Sequence, residues 1–221
     1  MIKKFTLRII YLGAMRFFLK LIVGVKYINK RVLKEQKQFI LVGNHNSHLD
    51  AMALMASLNW KQLPNTHPIA AADYFGGTGI KARISKFLIN AILIKRSKDE
   101  VGEKPLDQMS KALSEGKSLI LFPEGSRGEP EKMQEFHKGI GVLLTLHPHI
   151  PYIPVYISGL GKVLPKGERL LVPFDAYVTF GEASWVKSKE VESIVQVVHS
   201  EIIKLKDNFD KQYKPKKKDH A

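Results

Sequence analysis

Short apolar runs alternate with segments of helical spacing along most of the chain. Three runs, FILVG (39–43), SLILF (118–122) and YIPVYIS (152–158), are typical of buried strands. Residues 191–205 repeat apolar positions at helical spacing and predict an amphipathic helix. Because strands that alternate with helices are typical of α/β proteins, the pattern predicts a single α/β domain with a largely parallel or mixed sheet flanked by helices.

The remaining elements follow from the same pattern. Further strands are predicted at 67–72, 91–94 and 176–181, helices at 51–58, 82–91, 105–114 and 139–146, and a glycine turn at 76–79. Pro154 lies inside the apolar run at 152–158. Because proline has no N–H to donate to a neighbouring strand, we expect this run to be an edge strand or to contain a bulge.

The N-terminal segment is basic and amphipathic. Residues 1–40 hold ten Lys and Arg against one acid, interleaved with large apolar side chains. This pattern is typical of a helix that lies in an anionic membrane interface. Charged residues interrupt every apolar run before it reaches the ~20 residues needed to span a bilayer, so we expect a retained helical segment and not a signal peptide. Packing on the protein's own core and binding of nucleic acid are the alternatives.

Most of the net charge of +14 lies at the two ends of the chain. Residues 41–203 carry eighteen basic and seventeen acidic residues, and this balance argues against a nucleic-acid partner. We divide the chain into a membrane-associating segment at 1–37, a domain at 38–203 and a Lys-rich tail at 204–221. The absence of cysteine excludes disulfides and thiolate chemistry.

Groups able to transfer protons follow the strand predicted at 39–43. His45, His48 and Asp50 lie within NHNSHLD. At about 3.6 residues per turn, His45 and Asp50 meet only if His45 precedes a helix and Asp50 lies in its first turn. Ser47 is expected to cap that helix, with Asp50 completing a capping box. A carboxylate would also fix the tautomer of the imidazole and raise its basicity, as a general base requires.

His48 competes with His45 for the role of base, and the two could form a metal pair. No third ligand stands at a suitable spacing, so we predict no metal. If His45 is the base, His48 is expected to be a neighbour on the helix surface.

A second polar segment, FPEGSRGE (122–129), also follows a predicted strand. Its proline and glycine predict a tight turn whose N–H groups could bind an anion. Arg127 carries a forked guanidinium that suits phosphate, although a polar loop with a Glu–Arg pair is the simpler alternative. Arg96, after the strand at 91–94, could add a second contact. The sequence has no P-loop. It also has neither a G-x-S-x-G elbow nor a cysteine, and so offers no obvious nucleophile for an acyl-enzyme.

In this order and spacing the motifs resemble those of the glycerolipid acyltransferases, the family that includes lysophosphatidic acid acyltransferases. His45 and Asp50 match the family's H-x-x-x-x-D, and Arg96 matches the basic residue that ends its second motif. FPEGSR matches F-P-E-G-T-R with Ser126 in place of Thr, and Ile153–Val155 matches the fourth, proline-centred motif. The resemblance covers roughly residues 38–182, and the glycine that the family carries before Arg96 is missing.

The resemblance implies transfer of a fatty acyl group from acyl-CoA or acyl-ACP to a lysophospholipid hydroxyl, most simply that of 1-acyl-glycerol-3-phosphate. His45 would be the general base and Asp50 its orienting partner. The acceptor would be bound by Glu124, Gly125, Ser126 and Arg127, assisted by Arg96.

No bound cofactor is expected, because the thioester is a co-substrate, and acyl carrier protein is one candidate partner. We expect a peripheral or monotopic enzyme at the cytoplasmic face of a membrane. The alternatives are another lysolipid or aminolipid acceptor, and a non-catalytic lipid-binding adaptor on the same fold.

Overall fold

The computed structural model describes residues 2–72, 89–94, 104–128, 132–163 and 175–213. The strands in these ranges are β1 (Val25–Ile28), β2 (Ile40–Gly43), β3 (Thr66–Ala71), β4 (Ile92–Ile94), β5 (Ser118–Leu121), β6 (Tyr152–Ser158) and β7 (Ala176–Phe180). They form one sheet in the order β1-β7-β6-β2-β5-β3-β4. β6 and β7 are antiparallel and every other neighbouring pair is parallel, which confirms the predicted α/β domain with a mixed, largely parallel sheet.

Helices cover both faces of this sheet. Those in the described residues are α1 (Ile2–Ile9), α2 (Leu49–Ser57), α3 (Pro105–Ser114), α4 (Gly139–Leu146), α5 (Leu160–Val163) and α6 (Val191–Tyr213). Two π-helical turns, Ile10–Met15 and Phe18–Ile22, continue α1 without a break, so residues 2–22 form one N-terminal helix. Short 3-10 helices lie at Lys30–Glu35 and Leu63–Asn65. α3 and α4 have the predicted bounds, whereas α6 continues past residue 205 to Tyr213.

β2 and β5 are buried on both faces, which is why each reads as a continuous apolar run. Leu41 and Ile120 belong to a core cluster with α2 and the N-terminal helix. Ile40, Val42 and Leu119 belong to a second cluster with α3, α4 and α6. Since successive side chains of a strand point to opposite faces, a central strand needs apolar residues at both sets of positions.

β6 lies inside the sheet, between β7 and β2, so the expectation of an edge strand is wrong. A shift in pairing accommodates Pro154. Val155 pairs with Phe180, but Tyr152 pairs with Ser184, one residue out of that register. The missing N–H of Pro154 falls in this irregularity, so the bulge that the sequence also allowed is the arrangement found.

The N-terminal helix packs against the domain. Leu7 and Tyr11 are each 1% exposed and belong to the hydrophobic core. Arg16 donates from Nε to the carbonyl of Ala56 at 2.8 Å and also donates to the carbonyl of Leu58. These carbonyls lie at the end of α2, where a helix leaves its last carbonyl groups without helical partners. One face of the segment therefore packs on the core, as one of the alternatives predicted.

The hydrophobic pattern did not predict β1. This strand has only four residues, one of which is the exposed Lys26, so its apolar signal is weak. It pairs in parallel with β7, with Val25 opposite Ala176. The sheet therefore begins within the segment assigned to residues 1–37, and the boundary between that segment and the domain stays a prediction.

Several predicted features lie outside the described residues: the turn at 76–79, most of the helix at 82–91, Arg96, and the tail beyond residue 213. In the part of the chain that the structure describes, every helix is too short or too polar to cross a membrane.

Candidate active site

The two polar segments meet at one edge of the sheet. β2 and β5 are parallel neighbours, with Val42 opposite Leu121, so NHNSHLD and FPEGSR leave adjacent carboxyl ends. Active sites of α/β proteins collect at such ends. The amide of Asn44 exchanges two hydrogen bonds with the backbone of Ile157 in β6, at 2.8 and 2.9 Å. Asn44 thus extends the pairing with β6 beyond the end of β2 and ties the first segment to a third strand.

His45 and Asp50 form a hydrogen-bonded pair, with Nδ1 of His45 2.9 Å from Oδ2 of Asp50. The Asp50 side chain is fully buried, whereas 21% of the His45 side chain is exposed. The same Oδ2 accepts the backbone N–H groups of Asn46 and Ser47 at 2.7 and 2.8 Å. Three donors on one buried oxygen fix the orientation of the carboxylate. His45 precedes the helix and Asp50 lies in its first turn, as predicted.

This bond sets the tautomer of the His45 ring. An ionised carboxylate only accepts hydrogen bonds, so Nδ1 carries the hydrogen and Nε2 carries the lone pair that a general base uses. The ring stacks on Phe122, with centroids 4.1 Å apart and an angle of 14° between the planes. A side chain of the second segment therefore covers one face of the imidazole.

The helix that carries Asp50 begins at Leu49, with His48 at the N-cap position. The helix thus starts one residue later than a cap at Ser47 implies, but the predicted capping box forms, because Oδ2 of Asp50 accepts the N–H of Ser47 at 2.8 Å. Ser47 still stabilises the helix start, because its Oγ accepts the N–H of Leu49 at 3.3 Å. The carboxylate of Asp50 reaches back to the N–H groups that precede the helix, so Asp50 has the geometry of a cap and of an orienting residue at once.

Glu124 is a buried carboxyl group that joins the two segments. The residue is 3% exposed, and its Oε1 accepts the backbone N–H of His45 at 3.1 Å. Burial raises the pKa of Glu124 to about 7, although hydrogen bonds from His45 and Gln134 act in the opposite direction. Within the described residues, Oε2 has no hydrogen-bond partner. The contact seen is with the loop of His45, and the predicted contact with the acceptor stays a prediction.

The turn after β5 requires glycine at position 125. Gly125 has a φ of +71°, which L side chains rarely adopt. A Cβ atom there would lie 2.8 Å from the ring of His137. The N–H of Gly125 donates to the carbonyl of Phe122 at 3.0 Å, and that of His137 donates to the carbonyl of Pro123 at 2.9 Å. The predicted tight turn is present and is closed by the segment that contains His137.

Arg127 follows this turn and is half-buried, next to the exposed Ser126. Burial lowers the pKa of the Arg127 guanidinium and Asp50 raises it, and the group stays charged because arginine starts from a pKa above about 12. Nη1 of Arg127 contacts Nε2 of His48. The expectation that His48 is merely a neighbour on the helix surface is wrong, because its half-buried ring binds a side chain of the other segment.

One predicted site residue cannot be located, and two contacts of the site were not predicted. Arg96 lies outside the described residues, so its contact with substrate stays a prediction. Among the residues described, no group of three His, Asp or Glu side chains could hold a metal ion. The sequence pattern did not predict the stacking of Phe122 on His45 or the packing of His137 on Gly125. Phe122 lies inside a recognised motif, whereas His137 carried no signal beyond its residue type.

Comparison with known proteins identifies the family. The sequence profile described as Acyltransferase matches residues 24–158, which is more than half of the chain. This chain therefore belongs to the acyltransferase family, and the resemblance seen in the motifs is confirmed.

Similar curated proteins are named for one activity. A 1-acyl-sn-glycerol-3-phosphate acyltransferase of Limnanthes douglasii is 25% identical over 169 residues, 74% of this chain and 57% of that protein. A probable 1-acyl-sn-glycerol-3-phosphate acyltransferase of Mycoplasma pneumoniae is 24% identical over 139 residues, 61% of this chain and 50% of that protein. The chain thus spans about half the length of the curated relatives it matches.

A solved structure shares the fold. The crystal structure of the 1-acyl-sn-glycerophosphate (LPA) acyltransferase PlsC from Thermotoga maritima superposes with a TM-score of 0.72 at 20% identity. The match covers 96% of this chain and 82% of that one.

Proposed function

We propose that this protein transfers a fatty acyl group from a thioester of coenzyme A or acyl carrier protein to the hydroxyl of a lysophospholipid. The favoured acceptor is 1-acyl-glycerol-3-phosphate, which would give phosphatidic acid. The observation that carries the proposal is the pair of His45 and Asp50, 2.9 Å apart at the carboxyl end of β2. The activities named for the similar proteins support this choice of reaction and acceptor.

In the proposed reaction, Nε2 of His45 takes the proton of the acceptor hydroxyl as its oxygen attacks the thioester carbonyl. The C–O bond forms, the C–S bond breaks, and the departing thiolate takes the proton from the imidazolium. Asp50 holds the Nδ1 hydrogen and stabilises the charge that the ring gains. General-base help of this kind contributes about 10²–10⁴-fold, and positioning of the two substrates adds to it. No side-chain nucleophile is needed.

The phosphate of the acceptor is proposed to bind at the turn after β5. Arg127 brings a charged, forked guanidinium to this turn, and such groups bind phosphate through paired hydrogen bonds. Gly125 is proposed to contribute through its φ of +71°, which allows the tight turn that presents Ser126 and Arg127. Ser126 supplies an exposed hydroxyl, and Arg96 is proposed as a further contact. Glu124 contributes by holding the turn against the loop of His45.

We propose that the protein attaches to an anionic membrane through its N-terminal helix. The side chains on the outer face of this helix are large, apolar and more than half exposed: Ile2, Phe5, Ile9, Phe17, Leu21 and Ile22. Trp60 extends this face, with its ring centroid 6.4 Å from that of Phe5. Tryptophan favours the membrane interface, and nearby lysines such as Lys20 attract anionic lipid. This face differs from the one that packs on the core, so packing of the segment on the core is compatible with the proposed attachment.

The same proposal places the enzyme peripherally at the cytoplasmic face of a membrane, where acyl-CoA and acyl-ACP are present. No bound cofactor is part of it. Donor and acceptor follow from one assay of the full chain with anionic vesicles that contain lysophosphatidic acid, read by mass spectrometry of the lipids. Each thioester donor is supplied separately, and other lysolipids and aminolipids replace the acceptor in turn.

We expect the wild-type protein to form phosphatidic acid and His45→Ala to form none while keeping its fold. His149→Ala, at an exposed histidine outside the site, is the matched control and should behave as wild type. Vesicle binding without consumption of either thioester would instead identify a lipid-binding adaptor and overturn the proposal.

A further inference from the structure

We propose that His48 is a positioning residue, which holds the guanidinium of Arg127 in place for the anionic group of the acceptor. This inference rests on the function proposed above. Its basis is the contact between Nε2 of His48 and Nη1 of Arg127, two residues 79 positions apart. The contact joins the loop after β2 to the loop after β5, beside the pair of His45 and Asp50.

The chemistry of the contact defines the state of the imidazole. A guanidinium donates hydrogen bonds and never accepts them, so Nε2 of His48 must accept and the hydrogen must lie on Nδ1. Burial is the main cause that lowers the pKa of His48, and the positive charge of Arg127 adds to it, while Asp50 acts in the opposite direction. The geometry and the surrounding charges both favour a neutral ring that presents a lone pair to Arg127.

The position of His48 in the fold explains why this contact matters. His48 is the N-cap residue of α2, with φ −59° and ψ −26°, and Asp50 lies two residues further along the same helix. An arginine side chain loses considerable rotamer freedom when it binds an anion. A hydrogen bond formed before the acceptor arrives removes part of that cost from binding. The start of one helix therefore orients both the base, through Asp50, and the anion site, through His48.

A pair of substitutions separates the hydrogen bond from the volume of the ring. His48→Phe keeps an aromatic ring at the half-buried position but removes the acceptor atom. His48→Gln replaces the ring and restores an acceptor oxygen near the place of Nε2. We expect His48→Phe to raise the KM for lysophosphatidic acid about tenfold, with a smaller change in kcat, as for loss of a hydrogen bond to a charged group. His48→Gln should bring KM back toward the wild-type value.

A double-mutant cycle tests whether His48 acts through Arg127. In an Arg127→Ala background, the change of His48 to Phe should leave KM unaltered. An equal rise in KM in both backgrounds would overturn the proposal, as would a normal KM for His48→Phe. The pH profile adds a second readout: the KM of the wild type should rise at acidic pH more than that of His48→Gln, because protonation removes the acceptor only from the imidazole.

A measurement without turnover distinguishes this proposal from the function on which it rests. In the wild-type protein, ¹⁵N NMR should show His48 with the hydrogen on Nδ1, and Arg127→Ala should change that state. Another tautomer, or no response to Arg127→Ala, would overturn the pairing even if the enzyme is fully active. Wild-type protein that shows the pairing but no acyl transfer would count against the proposed function, and with it against a role for His48 in binding the acceptor.

Discussion

The carboxyl group of Glu124 accepts the backbone N–H of His45 at 3.1 Å, although the two residues lie 79 positions apart. From the other side, Gly128 donates its N–H to the carbonyl of His45 at 3.1 Å. Both backbone groups of His45 are therefore bonded to the loop after β5, and its ring stacks on Phe122 from the same loop. The position of the imidazole depends on that loop as much as on its own.

Glu124→Gln should change how stability varies with pH. Burial raises the pKa of Glu124 from 4.5 to about 7, so between these values the native protein binds a proton that the unfolded chain does not. The free energy of unfolding should fall as pH rises through this window, and Gln should remove that slope. Chemical denaturation across the window measures it. The exposed Glu135→Gln is the control, and equal slopes in wild type and Glu124→Gln would contradict the prediction.

Asp50→Asn should separate the two roles of that residue. Asparagine can still accept the N–H groups of Asn46 and Ser47, so we expect a loss of only about 1 kcal/mol in the free energy of unfolding. The negative charge that stabilises a protonated His45 is lost, so kcat should fall by about 10²–10⁴-fold. Ser47→Ala is the matched control, since it weakens only the cap and should keep activity. If Asp50→Asn keeps wild-type kcat, Asp50 is a cap and nothing more.

Gly125→Ala should impair both stability and activity. The backbone at φ +71° costs about 1–2 kcal/mol for a residue with a Cβ, and the new atom would collide with His137. Gly116 has a φ of +77°, but an added Cβ there would meet no atom within 4 Å. Gly116→Ala therefore measures the cost of the backbone conformation without a collision. Thermal denaturation should show that Gly125→Ala lowers Tm at least as much as Gly116→Ala does. Only Gly125→Ala should lose acyl transfer. Equal activity in the two variants would exclude a special role for this turn.

Tryptophan fluorescence should report the face that meets the membrane. The chain has two tryptophans, Trp60 and Trp185, and both are 48% exposed. Trp60 adjoins Phe5 on the N-terminal helix, whereas Trp185 lines a separate groove of about 450 Å³ that includes Glu201. In Trp185→Phe, anionic vesicles should shift the emission of Trp60 to the blue, and salt should weaken binding.

The complementary variant, Trp60→Phe, leaves Trp185 as the reporter and should show no shift. Equal shifts from the two variants would mean that the N-terminal helix is not the attachment surface.

The spacing of apolar residues predicted the helices and strands in which that spacing is regular. α3 and α4 have the expected bounds because each combines a helical apolar face with a clear stop, such as Gly116 after α3. The four residues of β1 escaped detection, because so short a segment interrupted by Lys26 has no recognisable period. Pro154 left two arrangements of β6 open, an edge strand or a bulge, because the pattern cannot show that the pairing with the neighbouring strand β7 shifts its register there.

The site was predictable only as far as local geometry determines it. The pairing of His45 with Asp50 follows from five residues and the pitch of one helix. The contacts of His45 with Phe122 and of His48 with Arg127 depend on β2 and β5 being neighbours. Strand order is a property of the whole sheet, and the separate motifs do not encode it.

Contacts at both ends of α2 fix the distance between the N-terminal helix and His45. Arg16, from the N-terminal helix, binds the carbonyl of Ala56 at one end, and Asp50 binds His45 at the other. Between them lie the nine residues of α2, which span about 13 Å at 1.5 Å per residue. α2 therefore acts as a spacer of fixed length between the surface proposed to meet lipid and the base. One more turn in this helix would move the contact of Arg16 and the imidazole of His45 apart by about 5.4 Å.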